Sequence, residues 1–339
     1  MDTRQLTVGV VYNTNGEPHR GEPRDIIAIQ ETVEIAESIG SALAQLGYPW
    51  QKLPVRTSLD ELRRSLEPLS PFNTIIFNLC DDFGGASLGA ARVAELIEGM
   101  GFMYTGETTN AITVCMDKAQ TKERLILNGV PTAPYQIFER PEGECYLNFP
   151  VIIKPMTEDA SFGIDFESVA WDIRAVFARV AYIIEKYRQP AIVEEFMVGR
   201  ELTVGLIGND ILEALPVSEI DFSSIDDPYR RILTYEAKWM IDSPLYHATQ
   251  SICPADLTDE EAEQVLMVAS DAYRAVSLRD YGRIDIRYVG GIPFVIEVNE
   301  APDLAEDAGF AKASAVAGYS YAKMIERILD VALIRHGYI

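Results

Sequence analysis

Residues 282–303 of this chain read GRIDIRYVGGIPFVIEVNEAPD, and they carry the clearest structural signal in the sequence. Two runs of apolar and β-branched residues flank the pair Gly290 and Gly291. Such runs are typical of β-strands, and a glycine pair between them favours a tight turn. The stretch therefore predicts an antiparallel hairpin.

Three side chains with oxygen ligands interrupt the apolar runs, namely Asp285, Glu297 and Asn299. Glu297 and Asn299 are two residues apart, so they project from the same face of one strand. A three-residue loop, 289–291, would place Asp285 on that face too, whereas a two-residue loop would turn it away. Two carboxylates, a carboxamide and water suit a Mg²⁺ ion that also holds substrate phosphates. The alternative is a hairpin whose polar residues only face solvent.

The composition is that of an ordinary soluble protein, with 48% hydrophobic and 24% charged residues. A chain of 339 residues can bury a large core, which predicts two or three domains. Its 52 acidic and 29 basic residues give a formal charge of −23, which weighs against nucleic acid and anionic membranes as partners. An anionic substrate would therefore need local lysine and arginine side chains.

The four cysteines are far apart and form no Cys-x-x-Cys pair, so neither a disulfide framework nor a zinc site is expected. The first residues, MDTRQLTVGVVYN, lack the apolar core of a signal peptide, and no later run has the length of a membrane span. These features predict a cytoplasmic protein. Only three histidines occur, which weighs against a mechanism that needs a histidine base.

Strands and helices alternate through the first hundred residues, with strands predicted at 6–12, 50–55 and 74–79 and helices at 26–46 and 86–99. This alternation is typical of a parallel sheet covered on both faces. A second unit is predicted to begin near Thr109. Further helices are predicted at 116–128, 171–187, 259–277 and 319–336, and further strands at 149–154, 191–194, 202–207 and 211–215.

Two lysines have both a functional and an ordinary interpretation. Lys154 ends the strand FPVIIK and precedes a loop that contains Ser161 and Gly163. A lysine at such a place can hold phosphate oxygens while the loop amides close over them, but it can equally be a surface lysine. Lys118 opens a helix, which is the end where the helix dipole disfavours a cation.

The segment AIVEEFMVGREL places Glu194 at the end of a strand and Glu201 seven residues farther on. The strand end can offer backbone acceptors to an adenine amine, and the second carboxylate can accept hydrogen bonds from ribose hydroxyls. The alternative is two strands joined by a turn, with exposed acidic residues.

Taken in order, these motifs resemble the ATP-grasp superfamily, and most closely the D-alanine–D-alanine ligases. The resemblance covers roughly residue 104 to the C-terminus, through YTG, MDKAQTK, GVPTAP, FPVIIKP, EEFMVGRELTVG, YEAKW, GRIDIR and EVNEAPD. It implies an α/β fold of three domains, which we expect at 1–108 (an open parallel sheet that binds substrate), 109–198 and 199–339. It also implies a reaction in which ATP phosphorylates a carboxylate and an amine attacks the acyl phosphate, giving an amide, ADP and phosphate.

The resemblance also implies a role for each matching residue. It implies ATP as cosubstrate, with Mg²⁺ or alternatively Mn²⁺ held by Asp285, Glu297 and Asn299. It implies that Arg283, Lys238 and Ser161 are catalytic, Arg283 by steadying the tetrahedral intermediate and Lys238 by reaching the γ-phosphate. The residues implied to bind the nucleotide are Lys118, Lys154, Gly163, Glu194, Glu195, Phe196, Met197 and Glu201. The partners implied are small amino-acid-like substrates and a second copy of the chain, since homodimers are usual in the family.

Departures from the family pattern concern the substrates. The loop after the first strand reads YNTNGEPHRGEPRD, and beyond it Glu31 or Glu34 is only a weak substitute for the usual glutamate. The serine that usually grips the second substrate's carboxylate is replaced near Ala308, and the tyrosine after the γ-phosphate lysine is Trp239. We therefore expect an ATP-dependent carboxylate–amine ligase for D-alanine, or alternatively one for another amino acid or a secondary metabolite.

Two other functions remain as alternatives. The segment 85–89 reads GASLG, which fits the nucleophile motif of α/β-hydrolases with Ser87 as nucleophile, although a helix entry rich in small residues explains it as well. The other alternative is a nucleotide-binding protein without ligase activity. The presence of Lys154 and Arg283 weighs against it, because a binder need not keep charges that serve the transition state.

Overall fold

The computed structural model describes residues 3–14, 22, 26–56, 58–80 and 89–339, with the backbone alone at 26–31. Within these residues the chain forms three sheets. The sheets follow one another along the sequence, as expected for an α/β chain with three units.

The first sheet is parallel, with the strand order β2-β1-β3-β4. Its elements are β1 (Thr7–Asn13), α1 (Ile26–Gln45), β2 (Trp50–Val55), α2 (Leu59–Leu66), β3 (Thr74–Asn78), α3 (Gly89–Gly99) and β4 (Met103–Tyr104). The predicted parallel sheet is therefore confirmed. Helix α2 was not predicted, and the start of the helix predicted at residue 86 lies outside the described residues.

Helices cover both faces of this sheet. On one face α1 packs together with the last helix of the chain, α11 (Tyr321–Arg335), through residues such as Ile39, Leu43, Ile328 and Leu329. On the other face α2 and α3 pack against Leu53 and neighbouring apolar side chains. The N-terminal sheet therefore shares its core with the C-terminal end of the chain.

The second sheet is antiparallel, with the order β5-β8-β6-β7. Its unit contains α4 (Thr109–Met116), α5 (Lys118–Leu127), β5 (Tyr135–Phe138), β6 (Val151–Pro155), β7 (Val169–Ala170), α6 (Ile173–Tyr187) and β8 (Ala191–Glu195). The single helix predicted at 116–128 was wrong at its start. Asp117 leaves the helical conformation and caps α5, since its carboxylate accepts hydrogen bonds from the amides of Ala119 and Gln120.

The third sheet is also antiparallel, with the order β12-β11-β9-β13-β14 and β10 paired to β9. Its unit contains β9 (Arg200–Gly208), β10 (Leu212–Ala214), β11 (Ser218–Ile220), α7 (Tyr235–Trp239), α8 (Pro244–His247), β12 (Ser251–Ile252), α9 (Asp259–Ala275), β13 (Tyr281–Val289), β14 (Ile292–Asn299), α10 (Gly309–Val316) and α11. Helix α9 and apolar residues of β9, β13 and β14 form the core beneath this sheet.

The hairpin of β13 and β14 turns through two residues, because Val289 pairs with Ile292. Of the two loop lengths that the sequence left open, the structure has the shorter one, which by itself would turn Asp285 away from Glu297. Both glycines of the turn have positive φ, 57° at Gly290 and 85° at Gly291, as a two-residue hairpin turn requires.

A β-bulge restores the expected face. Ile286 pairs with Val295 but Asp285 pairs with Glu297, so Ile296 is the extra residue. This shift of one residue returns Asp285 to the side of Glu297 and Asn299. The three side chains therefore share a face because of the bulge, which the sequence analysis did not consider.

No helix among the described residues is long and apolar enough to cross a membrane. The domain boundaries expected at residues 108 and 198 stay predictions. These two positions separate the three sheets along the sequence, but α11 packs against both the first sheet and the third.

Candidate active site

A cleft lies between the second and third sheets. With the exception of Gly163, every residue expected at the site from the sequence lines it. These residues are Lys118, Lys154, Ser161, Glu194, Glu195, Phe196, Met197, Glu201, Lys238, Arg283, Asp285, Glu297 and Asn299. The fold therefore brings together side chains from α5, β6, β8, β9, α7, β13 and β14.

The residues expected to bind metal lie together on the hairpin. Arg283 forms a two-pronged ion pair with Asp285, with nitrogen–oxygen distances of 2.8 and 2.9 Å. The amide of Asn299 donates to the same carboxylate at 2.9 Å. Burial opposes the charge of Arg283, but Asp285 outweighs it and raises the pKa of the guanidinium. Arg283 and Asn299 therefore fix the orientation of the Asp285 carboxylate.

Glu297 pairs with Lys118 at 3.0 Å. Burial opposes ionisation of this carboxyl, yet Lys118 and Lys154 hold the pKa of Glu297 below its ordinary value. The pairing also explains why a lysine begins helix α5. Its ammonium is stabilised by Glu297 and by the carbonyl of Glu158, to which it donates a hydrogen bond, rather than by the helix dipole.

Glu194 lies between two lysines at the floor of the cleft. Its carboxylate is 2% exposed and contacts Lys154 at 2.9 Å and Lys122 at 3.2 Å. Burial opposes its charge, but the two ammonium groups lower the pKa of Glu194 to about 2. The carboxylate is therefore ionised at any pH at which the protein works.

The strand end at Glu194–Glu195 and the following Phe196 and Met197 lie along the cleft wall. The side chain of Glu195 turns to Asn148, whose backbone and side-chain amides donate to it at 2.9 and 2.7 Å. This contact leaves the backbone and the apolar side chains at the strand end to form the wall. Such a surface fits the flat face and the polar edge of a purine base.

Glu201 forms a buried ion pair with Arg287 at 2.6 Å. Burial raises the pKa of Glu201, and Arg287 opposes this effect. Arg287 also donates to the carbonyl of Gly199 at 3.0 Å, which fixes its position on β13. Glu201 lines the cleft in the place expected for it, but its carboxylate already has a cationic partner.

The loop after β6 folds over the cleft and is tied to the segment before α7. Ser161 donates from its hydroxyl to the carbonyl of Leu233 at 3.0 Å, and Trp239 donates from its indole to the carbonyl of Ala160 at 2.8 Å. Ala160 and Ser161 both have positive φ, 49° and 60°, a conformation that costs energy in residues other than glycine. The loop is therefore held in a specific conformation by Trp239, a residue that departs from the family pattern.

Gly163 lies beneath this loop rather than in the cleft wall. Its φ is 68°, and a Cβ atom at this position would come within 2.9 Å of the Tyr187 ring. The structure therefore gives a packing reason for the glycine, and its contact with nucleotide stays a prediction.

Lys238 reaches the cleft from α7. Burial, reinforced by repulsion from Arg283, lowers the pKa of its ammonium. An anion between two neighbouring cations stabilises both of them, so this region favours the binding of a negatively charged group.

Sequence reasoning missed Lys122 and Arg287. Lys122 lies one helical turn after Lys118 in MDKAQTK, so both project from the same side of α5. Arg287 follows Arg283 and Asp285 at alternate positions, which places all three on one face of β13. Both signals are present in the sequence.

Some sequence hypotheses lie outside the described residues. They include Ser87 of the hydrolase motif, most of the loop after β1 and the side chain of Glu31. Glu34 is described and is exposed on α1.

Residues 127–330 match the family described as D-ala D-ala ligase C-terminus. The chain belongs to the D-alanine–D-alanine ligase family. This confirms the resemblance seen in the motifs. The family consists of ATP-dependent ligases that form carbon–nitrogen bonds, and the chain is an enzyme of this class that acts on small amino-acid-like substrates.

Similar proteins cover most of the chain. The uncharacterized protein y4sG of Sinorhizobium fredii is 32% identical over 333 residues, which is 96% of this chain and 94% of that protein. A D-alanine–D-alanine ligase of Methylacidiphilum infernorum is 28% identical over 305 residues, or 90% of this chain and 91% of the ligase.

A solved structure confirms the fold. The D-alanine–D-alanine ligase of Bacillus anthracis, in a crystal structure complexed with ATP, superimposes with a TM-score of 0.74 over 98% of this chain and 99% of that chain. The two sequences are 18% identical, so this likeness shows the shared architecture. The predicted ATP-grasp fold is confirmed.

Proposed function

We propose that this enzyme binds ATP with Mg²⁺ in the cleft, phosphorylates a small carboxylate and joins the acyl phosphate to an amine. The observation that supports this proposal is the convergence of Lys118, Lys154, Lys238 and Arg283 on one cleft beside Asp285, Glu297 and Asn299. In a chain with a formal charge of −23, such a group of cations is the local feature that an anionic cosubstrate requires.

The donors on the hairpin fit a magnesium ion. The side chains of Asp285, Glu297 and Asn299 lie on one face of β13 and β14, and hard oxygen donors are the ligands that Mg²⁺ takes in phosphoryl-transfer sites. Asp285, Glu297 and Asn299 would hold the ion, with Mn²⁺ as an alternative. When bound, the ion supplies charge neutralisation for the transferred phosphoryl group.

The cationic side chains act by binding and stabilising negative charge at fixed positions in the cleft. Lys118 and Lys154 hold nucleotide phosphates on the side of the second sheet, and Lys238 reaches the γ-phosphate from α7. Arg283 stabilises the negative charge that develops when the amine attacks the acyl phosphate. This division fits phosphoryl transfer, in which catalysis is mostly positioning and electrostatic stabilisation.

The strand end at 194–197 binds the adenine. Glu201 accepts hydrogen bonds from the ribose hydroxyls in addition to its ion pair with Arg287. The loop that carries Ser161 covers the phosphates and limits the access of water to the acyl phosphate. A nucleotide-binding protein without chemistry would not need Arg283 and Lys238 in addition to the lysines that hold the phosphates.

D-alanine is one candidate for the two substrates, since several related ligases carry that name. A specific observation favours a different amine substrate. Ala308 is the N-cap of helix α10, where it offers no side-chain hydrogen bond. A carboxylate on the amine substrate would therefore find no hydroxyl at this position. The homodimer and the cytoplasmic location expected from the sequence stay predictions.

Phosphate release with ATP, Mg²⁺ and D-alanine separates these candidates, with the product identified by mass spectrometry. Rapid turnover to D-alanyl-D-alanine would exclude a different amine as the main substrate. A panel of amino acids and amines, screened for ADP release, then identifies the preferred pair. Binding of ATP without ADP release from any member of the panel would contradict the proposed ligase activity.

A further inference from the structure

The carboxylate of Glu194 is shared by two lysines that differ in where they lie. Lys154 is 15% exposed and lines the cleft, whereas Lys122 is 3% exposed and lies behind the carboxylate. The order from the cleft inward is therefore cation, anion, cation. Glu194 is 2% exposed, so solvent cannot take the place of either lysine.

Lys122 is fixed by contacts that involve no nucleotide. Its ammonium donates to the hydroxyl of Thr132 at 2.8 Å and to the carbonyl of Ala133 at 3.2 Å. Thr132 in turn donates to the carbonyl of Val295 at 2.7 Å, on strand β14. Lys122 is thus anchored both to the segment before β5 and to the strand that carries Glu297.

The charge of the three groups sums to +1 when all are ionised. If Lys122 lost its charge, the remaining pair of Lys154 and Glu194 would be neutral. The pair would then have no net positive charge to attract an anion in the cleft. Burial makes this effect larger than it would be at a surface, because solvent screens the charges less.

We propose that Lys122 is a positioning residue for nucleotide binding, which neutralises Glu194 from the closed side so that Lys154 keeps its charge for phosphate. The inference rests on the proposed function, which places nucleotide phosphates beside Lys154. Lys122 itself touches no nucleotide, and its effect passes through Glu194.

The test is binding of ATP with Mg²⁺ to the full chain, measured by isothermal titration calorimetry. Lys122→Met removes the charge and keeps the length of the side chain, and we expect its Kd to rise by about tenfold or more, as for loss of a charged hydrogen bond. The steady-state KM for ATP should rise in parallel, with kcat changed by less than about threefold.

A second substitution tests whether the effect passes through Glu194. The double variant Lys122→Met with Glu194→Gln removes both buried charges and leaves Lys154 charged. Its reference is the single variant Glu194→Gln, and we expect the two Kd values to agree within about threefold, so that the loss of Lys122 has little effect once the carboxylate is gone. Lys186→Met is the matched control, because Lys186 forms an exposed pair with Glu185 at 3.0 Å on α6, and its loss should leave the Kd unchanged.

Each result decides the matter. A folded Lys122→Met variant that binds as tightly as the wild type overturns the inference, and so does a folded double variant whose Kd is about tenfold higher than that of Glu194→Gln. The double variant also decides the case if the single variant does not fold, since it buries no unpaired carboxylate. If the wild-type chain itself binds no ATP with Mg²⁺, both the proposed function and this inference fail together.

Discussion

Replacing Gly163 with alanine should destabilise the protein strongly, for two reasons that the structure separates. The residue has a φ of 68°, a left-handed conformation that costs an L-residue about 1 kcal/mol. Its new Cβ would also lie 2.9 Å from the Tyr187 ring and 3.0 Å from the Pro155 ring. Overpacking of this kind costs about 1–3 kcal/mol, so the total is about 2–4 kcal/mol.

The neighbours of Gly163 have little room to move. Tyr187 is 1% exposed and belongs to the core beneath the second sheet. The carbonyl of Gly163 is held by Arg179, which donates to it at 2.6 Å from a buried position. The crowding should therefore persist as strain rather than disappear by a small shift.

Gly290→Ala provides the control. Gly290 has a φ of 57° but no atom within 4 Å of the added methyl group, so it should lose only about 1 kcal/mol. Urea unfolding followed by circular dichroism measures both variants against the wild type. Equal losses at the two positions would refute the argument from packing, and no loss at Gly163 would refute both parts of it.

Three further outcomes follow from the site. Glu297→Ala should abolish turnover by removing a magnesium ligand, and a near-normal rate in a coupled ADP assay would contradict the metal assignment. Lys238→Ala should lower kcat more than it weakens ATP binding, so equal losses in kcat and in affinity by calorimetry would contradict a role at the γ-phosphate. Glu194 has a folded pKa of about 2, below its ordinary 4.5. Its ionised carboxylate therefore contributes about 3 kcal/mol to the free energy of unfolding above pH 4.5, and this contribution is lost as the pH falls toward 2. Urea midpoints from pH 7 to pH 3 should therefore fall less steeply in Glu194→Gln than in the wild type, and parallel curves would contradict the low pKa.

The hairpin illustrates how far the sequence could lead. Alternating apolar residues on both sides of Gly290 and Gly291 were sufficient to predict the strands and the turn between them. The bulge at Ile296 could not be predicted, because Val295, Ile296 and Val298 are all apolar and suit either register. Asp285 and Glu297 share a face only because the bulge offsets the two-residue loop, which alone would have separated them.

Contacts between strands that are distant in the sequence could not be predicted, for a different reason. Glu201 and Arg287 are opposite each other because β9 and β13 pair in one particular register. No local pattern encodes which strands will be neighbours, so the ion pair could not be anticipated. The split of the helix at Asp117 was easier to predict, since an aspartate directly before a run of helix formers is a common N-cap.

The place of α11 has a consequence for how the molecule is made. This helix and α1 together close one face of the first sheet, although some 300 residues separate the first strand from the last helix. During synthesis the opening strands emerge early, while the segment that shields them is still untranslated. We infer that Val8, Val10 and Phe77 are covered only in part, by α1, until residues 321–335 have been synthesised, and that removing these residues would destabilise the first sheet.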